Sequence, residues 1–405
     1  MRGNLRHHAS HKTTGNLRLW KTLLAFVLSL CNIRGGKGRL VKSTIYEFDN
    51  MEQTKLPKSI SQPIRFENIM FRDNTFHLYS VSDKVRKAVN QNGGHLARYK
   101  RFFHLQQVWD LPTPKLKLHR EMLDTDAICT AGVRREIAMF YSPWHVDNMF
   151  HLHNDNILAL VDTVRHTPGC KPETLGCDLP TTLYQFKGDP SRHALKAEQA
   201  LGLIFANRRS ATTLWEEAAQ TPICFSRVVW GRGPCFMYEV QQHPSLLQRA
   251  QGAVAALRWK VFNKLQINSI SKAMRSSKHI VYISRGHSGP RSIRDIATLM
   301  DACRKTGAIC TECCDWKQNS FKQSLQQISR ADVVVGPHGA GLTNVLYARP
   351  GAAVVQFGHG APWKPAFTIM TSLNNGGKFT NINIGATPWD HVPYEGVRQF
   401  IKVIS

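Results

Sequence analysis

Residues Asp332 to Phe357 read DVVVGPHGAGLTNVLYARPGAAVVQF and restrict the fold more than any other stretch of the chain. An apolar strand, Val333 to Val335, runs into a Pro-His-Gly-Ala-Gly turn. A short helical segment, Leu342 to Ala348, follows. Arg349-Pro350-Gly351 stops it, and a second apolar strand runs from Ala352 to Phe357. Gly339 and Gly341 have no Cβ, so a ligand's phosphates can approach the backbone closely. The helix that follows offers unpaired N–H groups and the positive end of its dipole to an anion. His338 falls at the strand's carboxyl end, where open α/β sheets place ligands. The unit predicts a pocket for a phosphorylated ligand.

The alternation extends upstream. His279 to Ser284 (HIVYIS) reads as a strand, Ser292 to Cys303 as a helix stopped at Gly307, and Phe321 to Ser329 as a second helix. Strands alternating with helices imply parallel βαβ units and a Rossmann-like domain over about 267 to 365. Before it, Leu246 to Leu265 reads as a long bridging helix, Leu195 to Phe205 as a helix and Ile223 to Trp230 as a strand. Residues 43 to about 120 carry few periodic signals. Strands are expected there at Ile45 to Phe48 and His77 to Val81.

Between these regions, Asn148 to Val164 fits one helix. Asn148, His151 and Asp155 are spaced three and four apart and share a face. A solvated face with a cap is the plain reading of that spacing alone.

The chain has 405 residues and 42% hydrophobic content, enough for two globular domains. Its formal charge of +25 raises nucleic acid as a partner. The basic residues are dispersed, however, and no zinc-finger spacing, homeodomain pattern or RNP string occurs. A nucleotide-sugar, a polyanionic acceptor or an anionic membrane surface also suits such a charge.

The first 42 residues read as targeting sequence and linker. Arg2, Arg6, Lys12, Arg18 and Lys21 precede the apolar run Leu23 to Ile33, which resembles a signal h-region. An uncleaved signal-anchor is the first expectation and a transit peptide the alternative; no Asn-x-Ser/Thr sequon supports luminal residence. Of ten cysteines, Cys170 with Cys177 and Cys224 with Cys235 lie near each other, and Cys303, Cys310, Cys313 and Cys314 cluster. Several are disulfide candidates in a secretory setting. Cys310 and Cys313 have zinc-like spacing without the second pair that a zinc site needs.

The string PHGAGLTN with its Pro-Gly turn and following strand resembles glycosyltransferase family 61, which includes plant xylosyl- and arabinosyltransferases and animal O-linked N-acetylglucosaminyltransferases. The Asn, His and Asp pattern of Asn148, His151 and Asp155 ahead of an apolar run is similar to that family, as is the Tyr282-x-x-Arg285 string.

The resemblance implies a GT-B architecture: two α/β, Rossmann-like domains facing across a cleft. The domains would be 43–266 on the acceptor side and 267–405 on the nucleotide-sugar side, with Val392 to Val403 as a helix closing back across the cleft. It implies an inverting transfer of xylose, arabinose or N-acetylglucosamine from a UDP-sugar to a glycan or protein hydroxyl. The alternative is a non-catalytic nucleotide- or glycan-binding protein on the same fold. A type II membrane protein of the Golgi or endoplasmic reticulum follows from this reading, with a secreted or organelle-targeted protein as the alternative.

Such a transfer needs a stabilised diphosphate leaving group and a deprotonated acceptor. Gly339, Ala340, Gly341, Leu342 and Thr343 supply backbone N–H donors for the diphosphate, with Arg285 as a charge-assisted partner. His338 contacts diphosphate or sugar; Thr343 and Asn344 contact the donor or cap the helix. Gln356 stands where many GT-B enzymes bind ribose through a carboxylate. Asp155 is the first candidate base, since a carboxylate can act as one in a desolvated cleft, and His151 the second. Asn148 lies beside them in the cleft. Asp124-Thr125-Asp126 spells the Asp-x-Asp pattern of manganese-dependent enzymes, but the reading requires no metal cofactor.

Overall fold

The computed structural model describes residues 40–47, 63–73, 75–81, 83, 115–143, 148–186, 194–231, 233, 236–268, 277–284, 293, 295–313, 321–358, 364–384 and 392–405. The targeting segment, Cys235 and Arg285 lie outside these residues. No described helix is long and apolar enough to cross a membrane.

Thirteen strands are numbered here in chain order. Eight form the first sheet: β1 (Thr44–Glu47), β2 (Ile64–Arg72), β3 (Thr75–Tyr79), β4 (Lys115–His119), β5 (Val133–Tyr141), β6 (Thr181–Gln185), β7 (Asn207–Ser210) and β8 (Ile223–Trp230). Their order is β7-β6-β5-β8-β2-β3-β4, with β1 paired to β2. The four strands β7, β6, β5 and β8 are parallel. In chain order they run 3-2-1-4, the first four strands of the Rossmann order, whose topological switch point lies between the first and fourth strands, β5 and β8. Strand β2 joins β8 antiparallel and extends the sheet.

The second sheet holds β9 (His279–Ile283), β10 (Ile309–Cys313), β11 (Val333–Pro337), β12 (Ala353–Gly358) and β13 (Phe379–Asn383) in the order β10-β9-β11-β12-β13. All four pairings are parallel. The apolar runs of β9 and β11 are buried at every residue, as strands covered by helices on both faces must be. This 2-1-3-4-5 order places the switch point between β9 and β11. His338 follows the carboxyl end of β11, so the turn that the sequence singles out sits where such sheets bind ligands.

Ten helices are likewise numbered: α1 (Met149–His151), α2 (Leu158–Arg165), α3 (Ala194–Ile204), α4 (Ala211–Gln220), α5 (Phe236–Gln242), α6 (Leu247–Leu265), α7 (Ile296–Arg304), α8 (Phe321–Ile328), α9 (Lys364–Leu373) and α10 (Tyr394–Ile404). The predicted helix over 148–164 is interrupted. Between α1 and α2 the chain winds as a π-helix over Leu152–Ile157.

One core runs from the first sheet's Ile137, Met139 and Leu183, through Leu152, Ile157, Leu160 and the α6 residues Ala253 and Leu257, to Val281 and Val334 of the second and Leu346 of the segment that follows β11. The two sheets therefore share a helical layer. The outer face of the first sheet is aromatic, with Phe76, Phe140, Tyr184 and Trp230 packed on α4. The outer face of the second meets α7 and α10. The terminal helix α10 packs there, with Phe400 edge-on to Phe357 at 6.0 Å, and makes its main contacts with α7 and β13. It covers its own sheet, where the sequence reading sends it back across a cleft. Its strongly one-sided apolar face is the cause, since that face matches the sheet surface left bare beyond α7.

Polar contacts lock the helical layer to the second sheet. Arg258 of α6, nearly buried, donates to the Ala348 carbonyl at 2.7 Å and to Asn374 Oδ1 at 2.6 Å. Burial without a carboxylate partner lowers its guanidinium pKa to about 10, so it remains charged at neutral pH. Within the layer, fully buried Asp162 of α2 pairs with Arg249 of α6 at 2.6 Å, and its carboxyl pKa is lowered to about 2 by Arg249 and His166 against the cost of burial.

Disulfides join Cys129 to Cys224, Cys170 to Cys177 and Cys303 to Cys310. Cys224 thus pairs across 95 residues, not with nearby Cys235, because β8 lies beside the segment that ends at Cys129. Cys310 is spent on Cys303, which removes the zinc-like reading of Cys310 and Cys313.

Candidate active site

The segment after β5 emerges at the first switch point. Asn148 caps α1 by accepting a hydrogen bond from the Phe150 N–H at 2.9 Å. It acts as the helix cap, and its exposed side chain is committed to backbone. One turn on, His151 Nδ1 lies 2.6 Å from Asp155 Oδ2, as their spacing predicts. Asn154 Nδ2 donates to the other carboxylate oxygen at 2.5 Å. The Asp155 side chain is 1% exposed, whereas the His151 ring keeps 23% of its surface open. The carboxylate faces the imidazole, and the imidazole faces outward.

All six residues of the π-helix are buried, including His153, Asn154, Asp155 and Asn156. An ordinary surface helix buries one stripe. This segment is buried all round because it lies between the two sheets, and its polar groups are satisfied inside. Asn156 donates to the His151 carbonyl at 2.8 Å and accepts from the Tyr141 hydroxyl of β5. His153 Nδ1 faces the Met149 carbonyl at 2.9 Å and Nε2 faces the Tyr347 hydroxyl at 2.8 Å. Burial pushes the His153 pKa down to about 4, so the ring is neutral at physiological pH.

The second switch point carries the glycine turn. Gly339 has φ 155 and ψ 174, a backbone region essentially reserved for glycine. The helix it opens, Ala340–Tyr347, is a 3₁₀-helix and not an α-helix. A Cβ on Gly341 would stand 2.8 Å from Ile283 Cγ2 of β9, so this glycine serves the packing of the turn on the sheet. Leu342 is a core residue. Thr343 and Asn344 are fully buried, and Asn344 Nδ2 donates back to the Gly341 carbonyl at 2.8 Å. Thr343 Oγ1 and Asn344 Oδ1 have no hydrogen-bond partner among the described residues. His338, Ala340 and Gly341 are the partly open positions of the turn.

Gln356 is 3% exposed. Its Nε2 donates to Asn381 Oδ1 at 2.8 Å, which turns Oε1 toward His338 Nδ1 at 2.9 Å. The amide thus holds the histidine through an internal contact. An amide oxygen only accepts, so His338 carries its hydrogen on Nδ1 and, when neutral, a lone pair on Nε2.

The two clusters meet. Phe367 of α9 packs edge-on against Phe150 at 6.0 Å on one side and His338 at 5.5 Å on the other. Phe150 adjoins His151, and α1 contacts the 3₁₀-helix directly. The structure therefore assembles His151, Asp155, His338 and the glycine turn around Phe367. Sequence reasoning missed Phe367, Asn381, His153 and Tyr347, since each acts through a partner distant in the chain. Asp124 stands apart. Its carboxylate caps a short helix by accepting from the Asp126 and Ala127 N–H groups, each at 3.1 Å. Among the described residues no three His, Cys, Asp or Glu side chains are arranged to share a metal ion.

No curated protein matches the chain. Among solved structures, the flavodiiron protein from Giardia intestinalis is similar at 14% identity and a TM-score of 0.23. The match covers 47% of this chain and 44% of that one, less than half its length, and is too slight to inform fold or function. A family model described as Glycosyltransferase 61 matches residues 135–355, from β5 to β12, more than half of the chain and both switch points. The chain belongs to glycosyltransferase family 61.

Proposed function

We propose that the protein is an inverting glycosyltransferase that moves xylose, arabinose or N-acetylglucosamine from a UDP-sugar to a hydroxyl of a glycan or protein. Membership of the family supports glycosyl transfer in general. The observation that carries the mechanism is the His151–Asp155 pair set beside the glycine turn across Phe367. In this reading the two Rossmann-like sheets form a GT-B pair, the first presenting the base and the second the donor.

His151 is the proton acceptor. Asp155 is enclosed and accepts from Nδ1–H, which fixes the tautomer whose basic nitrogen is Nε2. This reverses the ranking of the two residues drawn from sequence. The acceptor oxygen attacks the anomeric carbon and gives its proton to His151 Nε2. The bond from that carbon to the β-phosphate oxygen breaks, its electron pair leaves with UDP, and the centre inverts. The backbone at Gly339 to Gly341 stabilises the departing charge. The three disulfides support residence in an oxidising compartment such as the lumen of the endoplasmic reticulum or Golgi.

The test is UDP release from UDP-xylose, UDP-arabinose and UDP-N-acetylglucosamine, with and without sugar and peptide acceptors. Release with one donor, lost in His151→Gln and in His338→Ala, supports the reading. Near-normal turnover in His151→Gln removes the base. Thermal stabilisation by UDP with no release from any donor favours a nucleotide-binding protein on the same fold.

A further inference from the structure

Neither His153 nor Tyr347 faces the site, and both are fully buried. Together they nevertheless connect its two halves. The Met149 carbonyl can only accept, so His153 carries its hydrogen on Nδ1 and donates there at 2.9 Å. Nε2 is then an acceptor, and the Tyr347 hydroxyl donates to it at 2.8 Å. Burial raises the Tyr347 phenol well above its usual pKa, so it stays an O–H donor. The rings also meet edge-to-face at 5.3 Å.

The ends of this relay are what give it meaning. Met149 opens the single turn that carries His151. Tyr347 closes the 3₁₀-helix whose first residue, Ala340, lies in the glycine turn. The next carbonyl, Ala348, is fixed by Arg258. A buried apolar pair would fill the same space at no desolvation cost. What a hydrogen-bonded pair adds is one fixed direction and one fixed spacing, because any other arrangement leaves a buried polar atom unpaired.

We propose that Tyr347 and His153 are positioning residues that hold the His151 turn in register with the donor turn. The inference rests on the proposed role of His151. Relaxing the relay shifts the base relative to the sugar without touching either ligand. Misplacement of a reacting group by about 1 Å costs on the order of 100-fold in rate.

The test is UDP release by hydrolysis of the UDP-sugar that the enzyme accepts, water being the acceptor, on the full chain. Tyr347→Phe removes one hydroxyl and keeps the packing. His153→Asn keeps the Met149 bond and loses the Tyr347 bond; His153→Gln does the reverse. Each single variant is expected to lower kcat about tenfold or more, with KM for the donor within about twofold. The double variant Tyr347→Phe, His153→Asn is expected to be no worse than either single, as members of one relay are non-additive. Unchanged kcat in folded Tyr347→Phe overturns the proposal, as do losses that multiply in the double variant. Should Tyr347→Phe fail to fold, the two His153 variants give the same reading. An inactive His151→Gln alongside a fully active Tyr347→Phe rejects the relay and keeps the base, whereas an active His151→Gln rejects the reading beneath it.

Discussion

Acid should loosen this protein through His153 before it reaches the carboxylates. The imidazole has an ordinary pKa of 6.5 and is held at about 4 in the folded chain, because burial excludes its charged form more than the Met149 carbonyl favours it. Between those values the unfolded chain binds a proton that the folded chain refuses. The stability from the neutral ring is therefore complete above pH 6.5 and is lost as pH falls toward 4. At 1.36 kcal/mol per unit the loss is about 3 kcal/mol, a large share of the ~5–15 kcal/mol that stabilises a typical domain. The assay is urea unfolding of wild type and His153→Asn at steps from pH 7.5 to 4.5. Wild type should lose about 3 kcal/mol more than the variant across that range. His77 also has its pKa lowered to about 4, by burial and by His119, but it is present in both proteins, so it cancels in the difference. Asp162, with a pKa lowered to about 2, acts only below pH 3.8. Parallel stability curves for the two proteins would refute the reasoning.

Two further predictions concern packing and charge. Asp162→Asn leaves Arg249 nearly enclosed without its counter-charge and should cost about 3–5 kcal/mol in chemical unfolding; a loss under ~1 kcal/mol would mean that water reaches the guanidinium. Gly341→Ala forces a methyl to 2.8 Å from Ile283 and should cost about 1–3 kcal/mol, while also shrinking the thermal shift that UDP produces; an unchanged shift would separate the turn from donor binding.

The second sheet was legible because its strands are buried on both faces and read as continuous apolar runs. The HIVYIS segment, the strand before the turn and the α7 stop at Gly307, with φ 78, all fall where the pattern places them. The i,i+4 meeting of His151 and Asp155 was also legible, since it depends on local spacing alone. The π-helix was not, because its polar run is stabilised by Tyr141 and Tyr347 from other parts of the chain. The role of Gln356 was hidden for the same reason: Asn381, which turns its amide, lies 25 residues downstream and carries no local signal. In the weakly periodic stretch from 43 to 120, the strands expected at Ile45–Phe48 and His77–Val81 are found at Thr44–Glu47 and Thr75–Tyr79. The anchor expected at Leu23 to Ile33 and the phosphate contact expected of Arg285 both fall outside the described residues.

The winding of the rod from Met149 to Arg165 makes its length as specific as its composition. Its π-helical bonds span five residues where α-helical bonds span four, so the segment Leu152–Ile157 accommodates more chain for the same rotation. Removing one residue there would let the rod continue as a plain α-helix with much the same rotation between its ends. Helix α2 would keep its bed against α6, and α1 its place beside the 3₁₀-helix. What a single-residue deletion takes away is the extra residue of the wide turn, and with it the spacing that lets His153, Asn154, Asp155 and Asn156 all be buried with partners.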